Sequence, residues 1–179
     1  MGESGHLLMV DALVETAPER FIAGIWLKNP HMPPHNRTVP ALVIFGTAQE
    51  WGQDKADYKT RWQDTTFYNA IIDQRRQNPD WPLSFVIDGH SGHFDVSPEL
   101  VRYLAHYINA VAAARLPRDP QQKLRPVNLT KGYLADLPVP GHVASAPQSF
   151  AAVAVNSRAL PWYFDRQSAL EAQAVAAIN

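Results

Sequence analysis

The sequence contains no cysteine. That absence excludes disulfide scaffolds, thiolate metal sites and a thiol nucleophile together, and says nothing about compartment. Charge of one sign is also lacking: sixteen Lys and Arg stand against seventeen Asp and Glu, a formal net charge of −1, with no basic run. The electrostatic footprint of a nucleic-acid or anionic-membrane binder is therefore missing, and neither partner is expected. Long hydrophobic runs are missing too. The longest, such as Phe21 to Leu27, fall far short of the roughly 20 residues that span a bilayer. Met1-Gly2-Glu3 is acidic where a signal peptide is basic, Asp11 interrupts the following apolar stretch, and His6 breaks the N-myristoylation pattern. The compartment stays open: cytoplasmic for a complete chain, with secretion allowed for one that has lost its N-terminus.

What is present is enough for a core: 179 residues, 46% of them hydrophobic. Leu7 to Glu15 has the pattern of a buried helix ended by Pro18. Phe21–Leu27, Ala41–Phe45 and Leu83–Ile87 are apolar runs of the kind found in parallel strands covered on both faces. Between the second and third, Lys55 to Gln77 has Tyr58, Trp62, Phe67, Ile71 and Ile72 at near-helical spacing. Ser97-Pro98-Glu99 is a helix start, with a capping hydroxyl, a proline at the first helical position and an acid in the first turn. Alternating strand and helix imply an α/β fold with a parallel sheet. Three strands make a small sheet with an exposed edge, so a partner chain, a second copy or further sequence is expected to cover it.

Seven of the fifteen prolines fall from Pro117 onward. The chain is accordingly read as two parts: an α/β body over residues 1–116 and an irregular, proline-rich extension over 117–179 ending in a helix from Ser168.

Three chemically capable residues fall at strand or helix junctions: Ser4 in Gly2-Glu3-Ser4-Gly5-His6, Glu50 after Gly46-Thr47-Ala48-Gln49, and His93 in Gly92-His93-Phe94-Asp95. In open α/β sheets functional groups collect at the carboxyl ends of strands. The order serine, acid, histidine, separated by these elements, resembles the C-terminal portion of an α/β-hydrolase. On that resemblance Gly2-Glu3-Ser4 corresponds to the nucleophile elbow, Ala41–Phe45 to the strand delivering the acid, Gly92-His93-Phe94-Asp95 to the histidine loop, and Ser97–Leu116 to the final helix. The segments Lys123–Val127, Gly132–Leu134 and Trp162–Asp165 are similar to extensions of bacterial hydrolases.

The resemblance implies a serine hydrolase acting on a small ester-like substrate without a cofactor. Ser4 is the implied nucleophile, His93 the base, Glu50 the acid, and the Gly5 backbone N–H an oxyanion donor. Asp54 and Asp57 are the alternative acids and His90 the alternative base. Two positions depart from the pattern: His6 stands where G-x-S-x-G ends in glycine, and Gln49 stands where many such enzymes carry Asp. Since the sequence starts at Met1, no strand is expected ahead of the elbow, and the second oxyanion donor has no counterpart. The expectation is a partial chain of weak activity, because losing one such donor costs about 10²–10³ in rate.

Each residue also has a plainer reading. Ser4 could serve only as the N-cap of the first helix. Glu50 could be a solvated loop acid, and the His31/His35 and His90/His93 pairs lie in Gly- or Pro-rich loops that do not fix metal-ligand geometry. No metal is expected. The five tryptophans are read as packing groups. The second functional class is a non-catalytic hydrolase remnant or subunit that binds another chain through its sheet edge.

Overall fold

The computed structural model describes residues 1–3, 6–28, 36–48, 66–92, 95–138 and 143–177. Its first sheet has four strands, β1 (Gly2–Glu3), β2 (Gly24–Leu27), β3 (Ala41–Ala48) and β4 (Leu83–Gly92), all parallel and in chain order. The chain is broadly α/β. Helix α1 (Leu7–Thr16) connects β1 to β2, α2 (Thr66–Gln77) precedes β4, and α3 (Pro98–Arg115) follows it.

The apolar runs become the strands for the expected reason. From Ala41 to Phe45 every side chain is buried, so β3 lies in the middle of the core. The start of α3 also follows its sequence signal: Ser97 is extended, its hydroxyl accepts from Leu100 N at 3.0 Å, and Pro98 and Glu99 complete the first turn.

Four expectations are corrected. A strand does precede position 4, because Gly2 and Glu3 pair with Trp26 and Leu27. Two residues carry no periodicity, which is why the strand was invisible. Second, α1 is buried on one side only: Val10 and Val14 enter the core while Leu8, Met9 and Leu13 are exposed. Third, β4 runs through Gly92, so Asp88, Gly89 and His90 are strand residues and not loop; a shifted register opposite Gly46 and Ala48 accommodates the extra length.

The fourth correction concerns the proline-rich segment. Long stretches of it do lack regular structure, but it is not an appendage. Its strands β5 (Tyr133–Leu134), β6 (Gln148–Ser149) and β7 (Trp162–Tyr163) form a small antiparallel sheet, and α4 (Arg166–Ala176) follows, capped by Asp165. Ala135, Leu137, Tyr163, Ala169, Ala172 and Val175 join the same buried cluster as β3 and β4. β4 is the edge of the parallel sheet, and the tail covers it. Tyr163 Oη donates to Phe85 O at 2.7 Å and Ser84 Oγ to Trp162 O at 2.6 Å. An uncovered parallel edge would leave backbone groups without partners, and the covering tail buries the first half of β4, Leu83 to Ile87, in which Ser84 is the one polar side chain.

Two buried arginines tie the layers together. Arg75 on α2 donates to the carbonyls of Asn78, Trp81, Arg158 and Leu160. Arg115, at the end of α3, donates to Thr38 O and Phe21 O in the approaches to β3 and β2. Trp26, Trp81 and Trp162 are buried packing groups.

Candidate functional site

Parallel strands in chain order bring their carboxyl ends to one edge of the sheet. β1 ends at Glu3, one residue before Ser4; β3 ends at Ala48, two before Glu50; β4 ends at Gly92, one before His93. With strands about 4.8 Å apart, the β3 and β4 exits are neighbours and the β1 exit is about 10 Å from that of β3. Ser4, Gly5, Glu50, Asp54, Asp57 and His93 themselves lie outside the described residues, while His90 is a residue of β4. The N-cap of α1 is His6, with no side-chain cap bond, so the plain capping role considered for Ser4 does not fall at position 4.

At the same edge the structure buries a charged cluster that the sequence did not announce. Lys28 directly follows β2 and is fully buried, with φ 57°, a left-handed conformation that costs a non-glycine residue roughly 1–2 kcal/mol. Its N–H still extends the ladder, donating to Ile44 O at 2.8 Å. Its ammonium donates to Ser91 Oγ at 2.6 Å and lies 3.7 Å from Asp88 Oδ2. Ser91 Oγ in turn donates to Asp88 Oδ2 at 2.5 Å, and the same oxygen accepts from Ser97 N at 2.9 Å.

Gly46 makes room for this arrangement. A Cβ there would sit 2.7 Å from Lys28 Nζ and 2.8 Å from the Ser91 and Gly92 carbonyls. Burial opposes ionisation of Asp88, but hydrogen bonds from Ser91 and Ser97 and the Lys28 charge outweigh it, holding the carboxyl below its usual range. Asp88 is therefore a carboxylate at neutral pH. Asp88 Oδ1 is buried without a hydrogen-bond partner among the described residues.

Chemically, Ser91 is no open nucleophile. It is 6% exposed, and its hydroxyl proton is committed to a carboxylate. The cluster can fix geometry and supply a local field at the carboxyl edge. The sequence offered two weak signals for it: a lysine immediately after an apolar strand, and an Asp-Gly-His-Ser step at the end of another.

A second titratable cluster lies between α3 and α4. His106 Nδ1 is 2.8 Å from Glu171 Oε2 and Nε2 is 3.2 Å from Asp165 Oδ2. Partial burial disfavours the cation, yet the two carboxylates outweigh it and raise the imidazole above its ordinary value. His106, on α3, is thus a clamp onto Asp165 and Glu171 at the start and middle of α4.

Among the described residues no group of three or more His, Asp or Glu is placed to hold a metal ion, and no helix is long and apolar enough to cross a membrane. No family model, curated protein or solved structure matches the chain.

Proposed function

We propose that the chain carries the C-terminal half of an α/β-hydrolase-type serine hydrolase site, with Ser4 as nucleophile, His93 as general base and Glu50 as the orienting acid. The observation that supports this reading is the sheet itself: three parallel strands in chain order lead out, at one edge, to a serine, an acid and a histidine. A serine hydroxyl is a weak nucleophile at its free pKa, and a nearby imidazole that accepts its proton removes that obstacle. Ser4 Oγ attacks the acyl carbon of an ester as His93 takes the hydroxyl proton. The alkoxide leaves with that proton, and water then attacks the acyl-enzyme, releasing the acid and restoring Ser4. Glu50 holds the imidazole tautomer and stabilises the imidazolium. The Gly5 N–H donates to the oxyanion.

Hydrolysis of a p-nitrophenyl ester by the purified chain tests the reading. Slow turnover above the uncatalysed rate, lost in Ser4→Ala and in His93→Ala, is expected. Equal turnover in wild type and Ser4→Ala contradicts it.

A second reading is favoured by one observation: α1 exposes Leu8, Met9 and Leu13 beside the two-residue edge strand β1, above an apolar groove of about 440 Å³. On this reading the chain is a non-catalytic subunit that pairs this face with another chain or a second copy. Sedimentation of wild type and Met9→Glu separates the two: association lost in the variant, with no Ser4-dependent hydrolysis, supports the subunit.

A further inference from the structure

At the amino ends of β2 and β3, opposite the carboxyl edge, a cavity of about 280 Å³ lies between the approaches to those strands and the chain that follows α3. Three cations line it: Arg115 at the end of α3, and Lys123 and Arg125 beyond. Pro18, Leu124 and Pro126 give it apolar walls. The acid that lines it, Glu19, has Arg20 as its partner at 3.8 Å. Among the described residues no carboxylate comes within ion-pair distance of Arg115, Lys123 or Arg125.

Arg115 separates this cavity from an ordinary basic surface. The residue is 5% exposed. A guanidinium has five N–H donors and stays charged inside a protein. Here Nη1 donates to Thr38 O at 3.1 Å and Nη2 to Phe21 O at 3.3 Å, while the Nε–H is buried with no acceptor. Burial lowers its pKa, and the group that counters this is the Tyr107 phenol, not an acid. Buried charges are ordinarily paired, because an unpaired one loses its hydration without compensation. The negative end of the α3 dipole favours cations here, and Arg125 serves it: its backbone N–H donates to Arg115 O at 2.7 Å and its guanidinium to Ala113 O. That role leaves Lys123 unaccounted for, an exposed ammonium with no hydrogen bond or ion pair among the described residues.

We propose that this cavity binds a small phosphate monoester, its phosphoryl oxygens accepting from the unused donors of Arg115, Lys123 and Arg125 and its organic part lying on Pro18, Leu124 and Pro126. Three convergent cations suit a dianion better than a single carboxylate, and the guanidinium fork matches phosphate geometry. The volume is at the small end for ligand sites, which fits a small molecule and not a nucleic-acid strand. The site lies at the end of the sheet away from the strand exits that lead to Ser4, Glu50 and His93, so it stands or falls independently of the hydrolase reading.

The test titrates phenyl phosphate into the full chain at constant ionic strength and about pH 7.5, where the monoester is mostly dianionic. The side-chain Nε–H signal of Arg115 is followed by ¹H–¹⁵N NMR, with benzoate as the monoanionic control. A saturable shift of that signal by phenyl phosphate is expected, with benzoate binding at least about tenfold more weakly. Inorganic phosphate should displace the ester, since it takes the same donors. Lys123→Ala and Arg125→Ala each weaken binding about three- to tenfold. Both positions are exposed, and thermal melts check that each variant is folded. No saturable shift, equal affinity for benzoate, no displacement by inorganic phosphate, or an affinity unchanged in both folded variants overturns the proposal.

Discussion

Replacing Arg75 with Met asks whether the proline-rich segment is part of the folded body. The guanidinium is fully buried and spans three pieces of chain: the end of α2 and the turn before β4, through Asn78 O and Trp81 O, and the tail, through Leu160 O at 3.1 Å and Arg158 O at 3.3 Å. Burial lowers its pKa to about 10, which leaves it charged at neutral pH. A hydrogen bond from a charged donor is worth about 1.5–3 kcal/mol. Counting the two shorter bonds at the low end, and letting the two at 3.3 Å offset the relieved desolvation, gives a loss of about 3 kcal/mol. For a domain of this size that corresponds to a fall of roughly 6–12 °C in Tm. Urea denaturation supplies the free energy, and limited proteolysis reports whether cleavage near residues 158–160 accelerates before global unfolding. Arg75→Lys keeps the charge but not the planar fork, so it should recover less than half of the loss. A change below about 1 kcal/mol, with the tail no more susceptible, would refute the stitching role.

The His106 clamp makes stability depend on pH. Its folded pKa is raised above the unfolded 6.5, so its contribution is complete below about pH 6.5 and disappears as pH rises through the folded pKa. Urea midpoints from pH 5 to 9 should decline across that window in wild type and flatten in His106→Gln; identical profiles would contradict the clamp. At Gly24 an added Cβ would fall 2.1 Å from the ring of buried Trp26, whose Nε1 donates to Asp11 Oδ1 at 2.7 Å. Gly24→Ala should therefore destabilise by about 1–3 kcal/mol through overpacking, and a neutral result in thermal melts would show that the ring can move aside.

What could be read in the sequence divides along physical lines. Ala41–Phe45 declares itself because a strand buried on both faces needs an unbroken apolar run, and Ser97-Pro98 because a cap is a local event. The tail is different. β5, β6 and β7 are two residues each, too short for any period, and what holds them is long-range: Tyr163 reaches Phe85, 78 residues away in sequence. Lys28 was hidden for the same reason. Lysine is almost never fully buried, and the groups that make burial tolerable here, Asp88 and Ser91, lie on another strand, Ser91 being 63 positions distant. Ser4, Glu50 and His93 drew notice because each follows a recognisable strand or precedes a recognisable helix, and all three lie outside the described residues. The sequence does not rank Glu50, Asp54 and Asp57 as the proposed acid, since they share one polar stretch with no apolar period.

The central claim is that Ser4 is an activated nucleophile. Treating the chain with a fluorophosphonate and mapping the adduct by peptide mass spectrometry tests it directly, because the reagent bonds to a serine whose proton has an acceptor and spares ordinary hydroxyls. The account predicts one adduct, on the peptide containing Ser4, formed in wild type and lost in His93→Ala. An unmodified Ser4 in folded protein, or an adduct on another serine that persists in Ser4→Ala, would contradict it.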